Sequence, residues 1–128
     1  MDADERKRLD GITERIIGCA YEVANTLGSG FLERVYENAL AHELRKRGAA
    51  VQQQMPICVR YDGVVVGDYI ADPMVDGSVL VELKVAKGVE DVHVAQCLNY
   101  LKATASRVCL LINFGTPRIE IKRIVNQF

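Results

Sequence analysis

Apolar side chains recur in steps of three and four between residues 8 and 27, at Leu9, Ile12, Ile16, Ala20, Val23 and Leu27. That spacing lines one face of an α-helix and predicts an amphipathic helix there. Gly28-Ser29-Gly30 ends it, because glycine takes up the positive φ that a helix C-terminus favours. A second helix is predicted over residues 31–47, with Ser29 or Gly30 as its N-cap and Gly48 as its stop. After Gly48 the pattern changes. Residues 51–61 and 64–75 alternate and are rich in β-branched side chains, and Asp62-Gly63 between them is a hairpin turn.

A second turn, Asp76-Gly77-Ser78, precedes a strand over residues 79–85. A helix follows over residues 89–104, with Val94, Leu98 and Leu101 facing inward. Residues 107–114 are apolar nearly throughout, the composition of a strand buried on both faces. Gly115-Thr116-Pro117 turns the chain into a last alternating strand, 118–125. The expected fold is α/β, a mixed central β-sheet flanked by helices in the order α-α-β-β-β-α-β-β. With no repeat, linker or low-complexity segment, residues 1–128 read as one domain, frayed over 1–8.

The strand at 79–85 carries the chemistry. A period of two sets Val79, Val81, Leu83 and Val85 on one face and Leu80, Glu82 and Lys84 on the other. A carboxylate and an ammonium in the middle of a sheet are costly unless paired or bound to a metal. The plainer alternative is a solvated polar face. The partner strand bears on the choice: if Asp76-Gly77-Ser78 is a three-residue loop, Val75 pairs with Val79 and Asp72 falls opposite Glu82. Facing carboxylates repel unless a cation lies between them. Oxygen ligands of this kind suit Mg²⁺ or Mn²⁺.

Composition narrows the classes. The chain is 49% apolar and 26% charged, with no stretch of about 20 uncharged apolar residues, so a membrane span is not expected. Residues 1–10 lack the apolar region of a secretory signal. Cys19, Cys58, Cys97 and Cys109 are widely spaced among apolar neighbours and read as reduced core thiols in a cytoplasmic protein; a structural zinc site would need paired ligands. The net charge of −1 is not that of a protein holding nucleic acid mainly by its phosphates, although a bound metal supplies local positive charge.

Asp72, followed after nine intervening residues by Glu82-Leu83-Lys84, resembles the signature of the PD-(D/E)XK nuclease superfamily, with proline after the aspartate (Ala71-Asp72-Pro73) instead of before it. Gly30-Phe31-Leu32-Glu33-Arg34-Val35-Tyr36 resembles the defining motif of the GxxExxY proteins of that superfamily. Gln96-Cys97-Leu98-Asn99-Tyr100 is similar to the Q-x-x-x-Y helix of RecB-like nucleases, and the run from Leu101 through Asn113-Phe114-Gly115 is also typical of the GxxExxY group. The resemblance implies a restriction-endonuclease-like core and a divalent cation, Mg²⁺ or Mn²⁺, held by Asp72, Glu82, the main-chain carbonyl of Leu83 and Glu33. It makes Lys84 the residue that orients or deprotonates the attacking water. Gln96 and Tyr100, four apart on one helix face with His93 a turn earlier, would position water or phosphate.

Each of these residues also has a structural role open to it. An acid at Glu33 suits a first helical turn, Tyr36 suits packing, and His93 suits a cap. The basic groups Arg45-Lys46-Arg47 and Arg118, Lys122, Arg123 are ordinarily solvated charge. The leading expectation is a metal-dependent nuclease acting on DNA or RNA, DNA favoured. The alternative is a catalytically silent module that binds nucleic acid or a protein on the same fold. Self-association, or activity only within a larger complex, is left open.

Overall fold

Residues 2–71 and 73–126 are described by the computed structural model, with the backbone alone at Tyr69 and Ala71. Helix α1 spans Ala3–Leu27 and buries Leu9, Ile12, Ile16, Cys19, Ala20 and Val23, the stripe that the spacing requires. It begins earlier than expected. The Asp2 side chain accepts the Glu5 amide at 2.7 Å, and Asp4 and Glu5 lie in the first turn, where the helix dipole favours acids, so residues 3–8 are helical and not frayed.

Helix α2 spans Glu33–Lys46, and its N-cap is Leu32, without a side-chain cap, in place of the expected Ser29 or Gly30. The loop before it turns through Gly28 at φ 71° and Gly30 at φ 111°. Tyr36 takes over the securing role: its hydroxyl donates to the Gly28 carbonyl and accepts the Phe31 amide at 3.3 Å. Its ring stacks on Phe114 with centroids 4.6 Å apart.

The strands are β1 (Val51–Gln52), β2 (Met55–Tyr61), β3 (Val64–Ala71), β4 (Met74–Val75), β5 (Val79–Lys84), β6 (Val108–Asn113) and β7 (Glu120–Val125), with α3 (Asp91–Thr104) between β5 and β6. Five of them form a mixed sheet in the order β1-β4-β5-β6-β7. Only the β5–β6 pair is parallel, joined by α3 as the crossover that a parallel pair needs. The expected architecture of a mixed sheet flanked by helices is therefore observed.

One expectation needs correction. The two long strands expected at 51–61 and 64–75 are each divided, so the described order is α-α-β-β-β-β-β-α-β-β. Gln54 takes a positive φ of 55°, which turns the first strand out of the sheet. On the returning strand, Pro73 has no amide to donate to a ladder, although its carbonyl accepts from Val81 at 2.8 Å. Beyond this bend β2 and β3 form a separate two-stranded ribbon, closed by Asp62-Gly63 with both residues at positive φ and irregular at Val59/Arg60.

Each face of the sheet carries its own core. Val79, Val81 and Leu83 pack with Val108, Leu110 and Ile112 beneath α1 and α2. Leu80, Cys109, Leu111 and Ile124 pack beneath α3, joined by Ile57 of the ribbon. All six β6 residues are buried, as a two-sided strand requires. Of the four expected core thiols, Cys19, Cys97 and Cys109 are buried and Cys58 is exposed, because β2 has left the sheet where Cys58 occurs. Among the described residues no helix is long and apolar enough to cross a membrane.

Candidate active site

Glu82 is 5% exposed, on the β5 face that carries Leu80 beneath α3. Lys84 shares that face by the two-residue period, and its Nζ lies 3.4 Å from Glu82 Oε1. The lysine side chain keeps 22% of its surface exposed against 6% for the glutamate, so the pair points from the core towards solvent. Removing two charges from water costs several kcal/mol per ion before their attraction offsets it, which makes such a pair poor evidence of stability and better evidence of use.

The surroundings form a fork. On one side β6 accompanies β5 along its whole length, pairing Leu111 with Glu82 and Asn113 with Lys84. On the other side, among the described residues, β4 pairs Val75 with Val79 and Met74 with Leu80, and the Pro73 carbonyl accepts from Val81 at 2.8 Å before the chain bends towards the ribbon. The three-residue loop is as expected: Asp76 and Gly77 have positive φ, and the Ser78 amide donates to Val75 at 3.0 Å. Asp72, expected across from Glu82, lies outside the described residues.

Helix α3 roofs this face. Tyr100 is 8% exposed and packs in the same cluster as Leu80, with Gln96 half-buried one turn before it. His93 is a capping residue: its Nδ1 accepts the Glu90 amide at 3.0 Å while the Glu90 side chain caps the His93 amide.

Glu33 opens α2 and is exposed. That helix packs through Tyr36, Leu40 and Leu44 on the other face, so the helix bearing Glu33 and the strand face bearing Glu82 and Lys84 lie on opposite sides of the sheet. One turn on, the buried Glu37 accepts from Gln53 Nε2 at 2.9 Å, which ties α2 to the bend between β1 and β2. The start of α2 therefore stands beside the bend between β1 and β2. Among the described residues, no three His, Cys, Asp or Glu side chains are grouped closely enough to hold a metal ion. Leu83, proposed through its carbonyl, has its side chain in the α1–α2 core.

Asn113 went unassigned in the sequence. Wholly buried, its Oδ1 accepts from Ala86 at 3.0 Å and Gly115 at 2.9 Å, and its Nδ2 donates to the Ala86 carbonyl at 3.1 Å and to Glu120 at 3.0 Å. It clamps the chain two residues after Lys84. The signal was an amide closing an apolar strand and followed shortly by glycine. Gly115 is required there, since a Cβ would come within 2.4 Å of the Ala86 backbone. Beneath Glu82, the Cys109 thiol is pushed well above its ordinary pKa by a hydrogen bond with Cys97 and by burial.

A buried carboxylate beside an ammonium, open at one end of a sheet, can bind a hard cation through oxygen and present an amine to whatever meets it. A family model described as the PD-(D/E)XK nuclease superfamily matches residues 10–124. Among solved structures, the crystal structure of SSO0001 is similar at 17% identity and a TM-score of 0.55, covering 97% of this chain and 63% of that one. An alkaline exonuclease, LHK-Exo, from Laribacter hongkongensis is similar at 14% identity and a TM-score of 0.50, covering 91% of this chain and 81% of that one. Both are likenesses of fold, and this chain spans under two thirds of the length of the first. No curated protein matches.

Proposed function

We propose, from the premise that this chain belongs to the PD-(D/E)XK nuclease superfamily, that it hydrolyses phosphodiester bonds of nucleic acid, DNA favoured, with Mg²⁺ or Mn²⁺. The observation that carries the reading is the buried Glu82–Lys84 pair at 3.4 Å, on the sheet face roofed by Gln96 and Tyr100. A membership confined to folding would not require two charges there. Within the superfamily we assign the chain to the GxxExxY group on Gly30, Glu33 and Tyr36.

In this proposal Asp72, Glu82, the Leu83 carbonyl and Glu33 hold the cation. The buried carboxylate of Glu82 fits it, since a hard divalent ion takes oxygen donors and offsets the cost of their burial. When bound, the ion would lower the pKa of water and neutralise charge developing on phosphate oxygens. Lys84 orients the attacking water and accepts its proton or balances charge on the phosphorus centre. Gln96 and Tyr100 hold the water or the scissile phosphate, and the Asn113 clamp fixes the chain that leaves Lys84.

The test is cleavage of labelled DNA and RNA in Mg²⁺ and Mn²⁺ by the parent, Asp72→Ala and Lys84→Ala. Each substitution is expected to reduce the rate by about 10²-fold or more. Undiminished cleavage in both variants would reject the assigned centre. A parent that binds nucleic acid, takes up no Mg²⁺ in calorimetry and cleaves nothing would instead establish the silent module.

A further inference from the structure

A groove of about 640 Å³ runs between ribbon strand β2 and helix α3, lined by Cys58, Val59 and Arg60 on one wall and Asn99, Lys102 and Ala103 on the other. We propose that it binds a single strand of nucleic acid beside the cleavage centre, an inference that rests on the nuclease reading and adds the form of its substrate.

The charges of the walls support this. Arg60 and Lys102 face one cavity from opposite sides, and neither forms an ion pair among the described residues. Among the described residues none of those lining the groove is acidic; Asp68, paired with Cys58 across the ribbon, is not among them. Several basic residues elsewhere are tied to the fold. Arg45 holds Gln53 and the Val51 carbonyl, Lys46 and Arg47 hold Glu43, and Arg123 holds Asp10 at 2.7 Å. With a net charge of −1 the chain has no excess positive charge, so two cations facing each other across one groove, with no carboxylate among its described lining residues, mark where an anionic backbone gains most.

Shape and position agree. The volume lies in the range of about 300–1,000 Å³ typical of small-ligand clefts, room for roughly one or two nucleotides and not for a duplex. Val59 and Ala103 offer apolar contact to sugar and base, while Asn99 offers both a donor and an acceptor. Asn99 and Lys102 lie on the same helix as Gln96 and Tyr100, Lys102 six positions beyond Gln96, about 9 Å along the axis and about a third of a turn around it. A strand held in the groove would lie along the helix that carries Gln96 and Tyr100.

Cys58 supplies a probe, being the exposed thiol in the groove while the other three cysteines are buried. The rate of alkylation of the parent by N-ethylmaleimide is measured in EDTA with a single-stranded DNA oligonucleotide, and with a duplex of the same sequence. The single strand is expected to slow Cys58 modification at least fivefold and the duplex far less. Arg60→Ala/Lys102→Ala, two exposed positions outside both cores, is expected to abolish that protection and weaken oligonucleotide affinity about tenfold or more. No protection at saturating oligonucleotide, equal protection by the duplex, or unchanged affinity in the double variant would overturn the groove. If the single strand gives the parent no protection while its cleavage still depends on Lys84, the groove fails and the nuclease reading stands. If protection holds while the parent cleaves nothing in either metal, the reverse is true.

Discussion

Asn113 grips both backbone groups of Ala86, accepting its amide at 3.0 Å and donating to its carbonyl at 3.1 Å, across the gap between β6 and the chain leaving β5. An amide that satisfies four partners in a dry site cannot be replaced without orphaning them. Asn113→Ala is expected to lower stability by about 2–4 kcal/mol in denaturant unfolding. It should also reduce kcat more than it raises KM, because what loosens is the support of Lys84 and not a substrate contact. A melting curve like the parent's would show that the clamp does not matter. Gly115→Ala should act in the same direction, since the Ala86 backbone has to move.

Metal binding should register as stability independently of activity. With a divalent ion at a hundredfold excess over its Kd, the gain is about 2.7 kcal/mol, several degrees in Tm for a protein of this size. Titration of the parent with Mg²⁺ or Mn²⁺ in differential scanning calorimetry is expected to show that rise, and Asp72→Ala and Glu82→Gln to lose most of it. An equal rise in the variants would remove both residues from the ligand set.

Two glycines should respond with opposite signs. Gly11 is exposed within α1 and a Cβ there meets nothing within 4 Å, so Gly11→Ala should stabilise by about 0.5–1 kcal/mol. Gly30 has equally open surroundings but a φ of 111°, which side chains rarely adopt. Gly30→Ala should therefore destabilise by about 1–3 kcal/mol through backbone strain alone. Chemical denaturation of the two variants side by side checks the pair.

Thiol chemistry should separate Cys58 from the rest. Cys19 is held above its ordinary pKa first by burial, and Cys109 first by its hydrogen bond with Cys97 and then by burial. The thiolate is the reactive form, so raising pH towards 9 should leave these thiols slow. A thiol-reactive chromophore is expected to titrate one group per folded chain and all four in denaturant. Rapid reaction of a second thiol in the folded chain would contradict the burial.

The local pattern carried a good part of the candidate site. Alternation along 79–85 put Glu82 and Lys84 on one face, and the length of the Asp76-Gly77-Ser78 loop set Val75 against Val79, because a two-residue side-chain period and a turn length together determine register. The helical spacing of Gln96 and Tyr100 put them on one stripe for the same reason. A capping role for His93 was among the readings open to it, although the helix begins at Asp91, two residues later than the expected 89. Legibility ended where the chain bends. Gln54 at positive φ carries no mark in a run of three glutamines, so β1 and β2 read as one strand and Cys58 read as core.

By itself the sequence determined which residues turn, which alternate, and which side of each element is apolar, since those depend on backbone geometry and near-neighbour sterics. Only the tertiary structure decided the strand order β1-β4-β5-β6-β7, the assignment of α2 and α3 to opposite faces, the Asn113 clamp on Ala86, and the groove between ribbon and helix. These join residues far apart along the chain. They form because burying each apolar face requires a particular partner, and no local period specifies which partner that is.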